Sequence, residues 1–190
     1  MRKLTKCALA LSTALLVTSC ESIEKKYEIP TYRLVNSFDA VQAGQLIMAE
    51  GTAKIKGNAL LKQKGGTVVT CAGNDVSLIP YTEYANERLT VLYRNAAKGY
   101  NPYYGRIYEF SGDDQNYKAY QKHSTCDSDG KFEFDNLKEG TYFVTTSVTW
   151  KIQKYISKYS KYPMESTEGG YLIQKVQVKQ GETKNIVMTY

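Results

Sequence analysis

The stretch "CDSDGKFEFDNL", residues 126–137, sets Asp127 and Asp129 two positions apart with Gly130 directly behind them, as at the start of a loop that wraps a divalent cation in oxygen ligands. The rest of such a loop does not follow. It would need oxygen at its fifth position, glycine at its sixth and glutamate at its twelfth; counted from Asp127, these are Lys131, Phe132 and Lys138. An ammonium where a carboxylate is required repels the ion, so no metal site is expected here. Asp129-Gly130 instead predicts a tight turn with positive φ that launches an alternating strand.

The other reactive side chains are equally sparse. His123 is the only histidine, and neither an HxxE nor an HExxH spacing accompanies it. A zinc site would have to recruit His123 together with carboxylates or cysteines from distant strands. Serine hydrolysis would need the same histidine, and no GxSxG elbow is present. Asp113-Asp114, Glu133 and Asp135 are paired acids of the kind glycosidases use, but acids in loops and on outward strand faces are ordinarily just solvated. The expectation is a non-enzymatic protein with no catalytic residue and no cofactor.

The first nineteen residues have the parts of a secretory signal: Arg2, Lys3 and Lys6 supply charge, "ALALSTALLV" an apolar run, and Thr18-Ser19 small residues. The apolar run is too short to span a bilayer comfortably. With Cys20 it ends in "LVTSC", which resembles the lipobox of bacterial lipoproteins. That resemblance implies that Cys20 is lipidated and becomes the mature N-terminus, several acyl chains holding the protein to a membrane. Glu21 stands where lipoproteins retained in the inner membrane often carry Asp, which favours the outer membrane, facing the periplasm or the cell surface. Loss of residues 1–19 leaves 22 basic against 19 acidic residues, a net charge of +3 where the full chain has +6. So small an excess, in an exported chain, gives no reason to expect nucleic acid. Under the same reading Cys7 leaves with the signal and Cys20 carries lipid, so Cys71 and Cys126 remain as a pair. An oxidising compartment makes a disulfide their natural outcome. The competing readings, a reactive thiol or a metal ligand, lack a CxxC spacing or a histidine near Cys71.

Residues 20–37 are polar, with "EKKYEIPTYR" showing no apolar period, and are expected to form a flexible tether that pairs with nothing; residues 38–190 form the folded body. Ser37 or Asp39 is placed to cap a short helix through "AVQAGQLIMAE", with Asp39 and Gln42 at capping-box spacing and Gly51 at the exit. Beyond Gly51 come short branched and aromatic runs bounded by glycine or aspartate: "TAKIKGNALL", "GTVVTC", "DVSLIPY", "KFEFD", "TYFVTTSVTW", "YLIQKVQVK" and "TKNIVMTY". Alternation in "KVQVKQ" and "KFEF" buries one face only. About seven such strands predict an all-β, antiparallel sandwich. Two excursions interrupt it: residues 81–122, where "EYANERLTVLYRN" has helical spacing, and residues 151–163.

"CDSDGKFEFDNLKEGTYFV" resembles the carboxypeptidase regulatory-like domain, a transthyretin-like, Ig-like β-sandwich. Its recurring turn and strand match Asp127, Gly130, Phe132, Phe134, Asn136, Leu137, Gly140 and Tyr142. "GTVVTCAGNDVSLIPYT" is similar to the family's first hairpin, with Ala72-Gly73 at the turn and Val76 and Leu78 inward, and "VQVKQGETKNIVMTY" to its last strand pair. The resemblance implies a fold and no reaction, because these domains accompany enzymes or receptors without doing chemistry themselves. The two excursions have no counterpart in the family pattern, so a ligand specific to this protein is sought there.

Tyrosine is the compositional anomaly, with 17 copies. Tyr100, Tyr103, Tyr104, Tyr108, Tyr117 and Tyr120 fall in the first excursion, and Tyr155, Tyr159 and Tyr162 in the second. Tyr100, Tyr103, Tyr104, Tyr108, Tyr155, Tyr159 and Tyr162 are the candidate binding surface, since tyrosine gives rigid amphipathic contact area suited to glycan or protein. The plainer alternative is that the rings pack the loops onto the sandwich. At 100° per residue Lys151, Lys154, Lys158 and Lys161 form one stripe of a short helix, which would present them to anionic lipid heads, to cell-wall polymers, or only to water. The function expected is a lipid-anchored binding or scaffolding module of the envelope, the alternative an accessory module for peptidoglycan or polysaccharide.

Overall fold

The computed structural model describes residues 28–190; Cys7, Cys20 and the signal segment lie outside them. In chain order the elements are β1 (Thr31–Arg33), α1 (Ala40–Ile47), β2 (Ala53–Lys62), β3 (Val68–Thr70), β4 (Asp75–Pro80), α2 (Glu83–Tyr93), β5 (Lys98–Pro102), β6 (Glu109–Ser111), β7 (Lys122–Thr125), β8 (Lys131–Leu137), β9 (Gly140–Lys154), β10 (Met164–Val178) and β11 (Thr183–Met188). A 3-10 helix spans Gln115–Tyr120. The seven runs read from the sequence are β2, β3, β4, β8, β9, β10 and β11. Of the other four strands, β1 precedes α1, β5 and β6 lie in the first excursion, and β7 begins where that excursion ends.

Two sheets face each other. One has the order β5-β10-β9-β4-β7; in the other, β11 and β3 flank β2, and β8 also pairs with β2. Within the sandwich every pairing is antiparallel except β11 with β2. The core is built by alternation along the strands. Val76 and Leu78 of β4, Phe132 and Phe134 of β8, and Tyr142 and Val144 of β9 are all buried, while Lys131 and Glu133 face water. At about 25 cal/mol per Å² of apolar area, each such ring stabilises the fold by roughly 2–3 kcal/mol.

The turn before β8 accounts for the paired aspartates. Asp127 Oδ1 accepts from the Asp129 amide at 2.9 Å and the Lys131 amide at 2.8 Å, and Asp129 pairs with the Lys131 ammonium at 2.9 Å. Gly130 has φ +77, and a Cβ there would lie 2.5 Å from Thr70 Cβ, so glycine is required on both counts. Cys71 and Cys126 form a disulfide that joins this turn to the β3–β4 turn, with Cα atoms 5.8 Å apart.

The first excursion is a second layer. Thr82 caps α2 by accepting from the Ala85 amide at 3.0 Å, and Arg94 closes it in a left-handed conformation at φ 63. Tyr84, Ala85 and Leu89 of α2, with Leu34 and Tyr117, pack on Ile79, Phe143 and Ile173, which point out of the five-stranded sheet away from the sandwich core. That sheet is therefore buried on both faces where the second layer covers it. α1 forms as expected: Asp39 caps it through the Gln42 amide at 2.9 Å, and Ala43 and Ile47 are buried.

Two expectations fail. The tether predicted for residues 20–37 does not extend through residue 36: β1 pairs in parallel with β6 from Thr31↔Glu109 to Arg33↔Ser111. Glu87 of α2 then clamps the chain, accepting from the Val35 amide at 2.8 Å, from the Asn36 amide and side chain at 2.9 and 2.8 Å, and from Tyr32 at 3.3 Å. Local polarity could not reveal these partners, because they lie more than fifty residues away. Desolvation pushes the Glu87 pKa up, but the hydrogen bonds from Asn36, Val35 and Tyr32 outweigh it and hold the carboxyl below its usual value. A depressed carboxylate stabilises the docked segment fully above its unfolded pKa and stops doing so as pH falls through the folded one. Amide protection at Val35 and Asn36 is therefore expected to persist at neutral pH and to be lost as pH falls through the depressed pKa of the folded state, below the usual glutamate range. Glu87→Gln should remove it at every pH; retained protection in that variant would show that the clamp is not what docks the segment.

The second failure is the lysine-striped helix. Residues 151–154 continue β9, which pairs with β10 in an unbroken register from Val178↔Gly140 to Met164↔Lys154. Thr-, Val- and Trp-rich sequence before Lys151 favours strand, and each further ladder pair extends a hairpin already formed, so a weak helical period over eleven residues is overridden.

Candidate functional site

The outer face of the five-stranded sheet is covered by α2 only in part, and the uncovered part is polar. Register sets a row of side chains across it: Ser77 stands opposite Thr145 and His123, and Ser147 opposite Tyr171. Asp75, Ser77, Thr145 and Ser147 floor a groove of about 240 Å³ whose walls are Tyr93 and Tyr171. Beyond Tyr171 a second groove of about 320 Å³ runs between Arg88, Arg106, Tyr108 and Phe110.

Tyr171 is the ridge between the two grooves. It is 39% exposed and stacks nearly parallel to Tyr103, 13° between planes and 6.3 Å between centroids; Tyr104, 73% exposed, meets Tyr103 edge-on at 4.9 Å. The loop carrying Tyr103 and Tyr104 is held by Asn101. Its buried side chain accepts from the Arg106 amide at 2.8 Å and donates to the Arg106 carbonyl at 2.9 Å, while the Tyr103 amide donates to Gly169 O at 2.9 Å. Tyr104, Arg106 and Tyr108 continue into an apolar hollow closed by Ile29 and Pro30. Burial, and then the neighbouring Tyr171, push the Tyr93 phenol up, so it stays a neutral hydrogen-bonding group throughout the physiological range. Arg88 is already engaged, lying 4.2 Å over the Phe110 ring and paired with Asp113, which also accepts from Tyr84.

Of the seven tyrosines singled out in the sequence, three meet here: Tyr103, Tyr104 and Tyr108. Tyr100 does not. It points to the opposite face of the sheet, stacks on Tyr190 at 4.6 Å and donates to Gly169 O at 2.9 Å. Tyr155, Tyr159 and Tyr162 are 61, 83 and 71% exposed at the end of the β9–β10 hairpin and share no groove with the others. Tyr117 and Tyr120 pack the second layer and the core. Sequence reasoning missed Tyr171, Tyr93, Asn101 and the hydroxyl row. The one local signal was that Tyr171 shares its strand face with Ile173, opposite Leu172.

His123 sits at the end of the row, its Nδ1 3.0 Å from Asp75 and 3.5 Å from Ser77 Oγ. A hydrolytic triad needs the two ring nitrogens to serve different partners, one the nucleophile and one the orienting acid. Here Ser77 and Asp75 meet the same nitrogen, and the histidine and aspartate side chains are 53 and 59% exposed. Ser77 Oγ donates directly to Asp75 at 3.1 Å, and the histidine does not stand between serine and acid as it does in a triad. On the other sheet a hollow of about 670 Å³ is lined by Lys56, Asn58, Lys131, Glu133 and Asn185. Of its charges, Lys56 pairs with Glu133 at 3.1 Å and Lys131 with Asp129, outside the hollow, at 2.9 Å, and the one ring that lines it, Phe132, is buried. Among the described residues no three His, Cys, Asp or Glu side chains converge as metal ligands, and no helix is long and apolar enough to cross a membrane.

No family model matches the chain, and no curated protein matches it in sequence. Among solved structures it is similar to a provisionally assigned carbohydrate-binding protein from Pseudomonas aeruginosa. The TM-score is 0.64 at 22% identity, over 82% of this chain and 99% of that one. At that identity the likeness concerns the fold.

Proposed function

We propose that this protein is a non-enzymatic lipoprotein of the cell envelope, acylated on Cys20 and held at the outer membrane, whose transthyretin-like body of the carboxypeptidase regulatory-like kind serves as a binding module. The observation that carries the reading is the groove on the five-stranded sheet: an exposed, rigid tyrosine ridge beside a row of hydroxyls, held by Asn101 and by strand register. Such a surface is preorganised, so little side-chain entropy is lost on binding. A scaffolding role for an envelope protein partner uses the same surface.

A second reading, that the ligand is a saccharide of cell-wall or polysaccharide type, is favoured by one feature. The flat Tyr171–Tyr103 stack offers a face for the C–H side of a sugar ring, while Ser77, Thr145, Ser147 and Asp75 offer partners for its hydroxyls. The carbohydrate-binding assignment of the Pseudomonas aeruginosa neighbour points the same way. The test takes the mature protein purified from membranes. Its N-terminal peptide should carry acyl chains on Cys20, and the protein should sediment with purified cell wall or bind soluble oligosaccharides at low salt. Tyr171→Ala should reduce that retention roughly ten-fold or more, as expected for a central aromatic anchor. Retention unchanged by Tyr171→Ala removes the groove as the site, and no retention on any saccharide removes the glycan reading. An unacylated start removes the anchor.

A further inference from the structure

We infer that the β9–β10 hairpin is a membrane-contact element that lays its tip on an anionic bilayer surface. Beyond Ser147 on β9 and Gly170 on β10 the two strands pair only with each other: β4 leaves β9 at Thr146 and β5 leaves β10 at Gly170. Six further residue pairs then run out to Lys154 and Met164, a ribbon about 20 Å long. A bare two-stranded ribbon buries too little to be stable alone, and this one is rooted by specific contacts. At its base Gly169 adopts φ +89 with Val148 O where a Cβ would sit, and Gly169 O accepts from both Tyr100 and the Tyr103 amide.

The composition of the projecting end suits a lipid headgroup layer. Residues 151–164, "KIQKYISKYSKYPM", contain four lysines, three tyrosines, two isoleucines and a methionine, and no acid. Lys151 is paired with Glu165 at 2.8 Å, and among the described residues no salt bridge engages Lys154, Lys158 or Lys161. Between the lysines Tyr155, Ile156, Tyr159, Tyr162 and Met164 are 57–83% exposed. Lysine with exposed tyrosine and aliphatic side chains is the combination that partitions to an anionic interface, the rings at headgroup depth and the ammonium groups on phosphate. A purely solvated ribbon would not explain five large apolar side chains left bare at one end.

Geometry adds an argument that rests on the proposed lipid anchor. The described chain begins beside the root of this ribbon: Ile29 and Pro30 line the hollow formed by Tyr104–Tyr108, whose loop is bonded to Gly169. Eight Cα-to-Cα steps lead from Cys20 to residue 28 and reach at most about 29 Å when extended. An anchor on Cys20 therefore keeps the body close enough for a ribbon of about 20 Å to reach the same bilayer.

The test leaves the anchor out, so that its failure and the anchor's failure are separate results. The chain from Glu21 on, which keeps both hydrophobic cores and every described sheet, is sedimented with vesicles of phosphatidylglycerol and phosphatidylethanolamine, and with phosphatidylcholine alone. Binding is expected on the anionic vesicles only, and it should weaken as salt rises. Replacing Lys154, Lys158 and Lys161 by Gln should lower partitioning roughly 100-fold, about five-fold per lysine. Tyr155→Ser with Ile156→Ser and Tyr159→Ser should lower it further without changing the melting temperature, because these side chains pack against nothing in the core. Three results would overturn the inference: no sedimentation with anionic vesicles, equal binding to phosphatidylcholine, or full binding by the lysine variant. Retention on purified cell wall without vesicle binding would also overturn it and assign the ribbon to a wall polymer.

Discussion

A chain with Cys71→Ala and Cys126→Ala should unfold roughly 8–16 °C below the parent protein. The bridge closes 55 residues, and in the chain-entropy model constraining a loop of that length in the unfolded state contributes about 4 kcal/mol. For a body of this size each kcal/mol corresponds to about 2–4 °C in midpoint. The enclosed segment is most of the second layer, with β4 and β7 at its two ends. These strands meet over only four residue pairs, from Asp75↔Thr125 to Leu78↔Lys122, so the sulfurs carry much of the closure. Both cysteines are buried, at 0 and 3% exposure, and the intact fold should resist mild reductant until it opens. Thermal unfolding followed by circular dichroism, with and without reductant, checks this. A midpoint within about 2 °C of the parent's would mean that β4 and β7 hold the turns together without the bridge.

Phe143→Ala should destabilise the protein by about 3–5 kcal/mol, as large a loss as for any ring in the sandwich core. This is unexpected for its position in the strand, since Tyr142 and Val144 on either side face the main core. Phe143 is nonetheless fully buried, stacked on Tyr81 at 5.7 Å and packed in the cluster of Ile79, Leu89 and Ile173. Were the first excursion a solvated loop, truncation would cost only about 0.5 kcal/mol. Urea unfolding gives the magnitude. Native-state hydrogen exchange gives the mechanism: amides of α2 should lose protection before those shared by β4 and β9, because the lost ring belongs to the layer between them. A loss under about 1 kcal/mol would show that the second layer is not a core.

These two expectations separate what periodicity reports from what it does not. Alternation marks Phe132 and Phe134 as inward, the family resemblance adds Val76 and Leu78, and all four are buried. It is silent about Ile79, Phe143 and Ile173, because a residue on the other face of a strand is equally compatible with water or with a covering layer. The same limit applies to the binding surface. Tyrosine-rich composition points to Tyr103, Tyr104 and Tyr108, whereas Tyr171, Asn101 and the hydroxyls of Ser77, Thr145 and Ser147 become a site only through strand order. β5 supplies the clamp, β10 the ridge, and β9 and β4 the floor.

Short-range chemistry was enough to specify the all-β body, its turns and the Asp39 cap of α1, since each depends on residues within a few positions of one another or on an even strand period. The docking of residues 31–36, the second layer, the extension of β9 and β10 into a ribbon and the convergence of the tyrosines were beyond it. Each of these depends on partners tens of residues away, chosen by which sheet face remains uncovered once the strands have taken their order, and no local pattern carries that information.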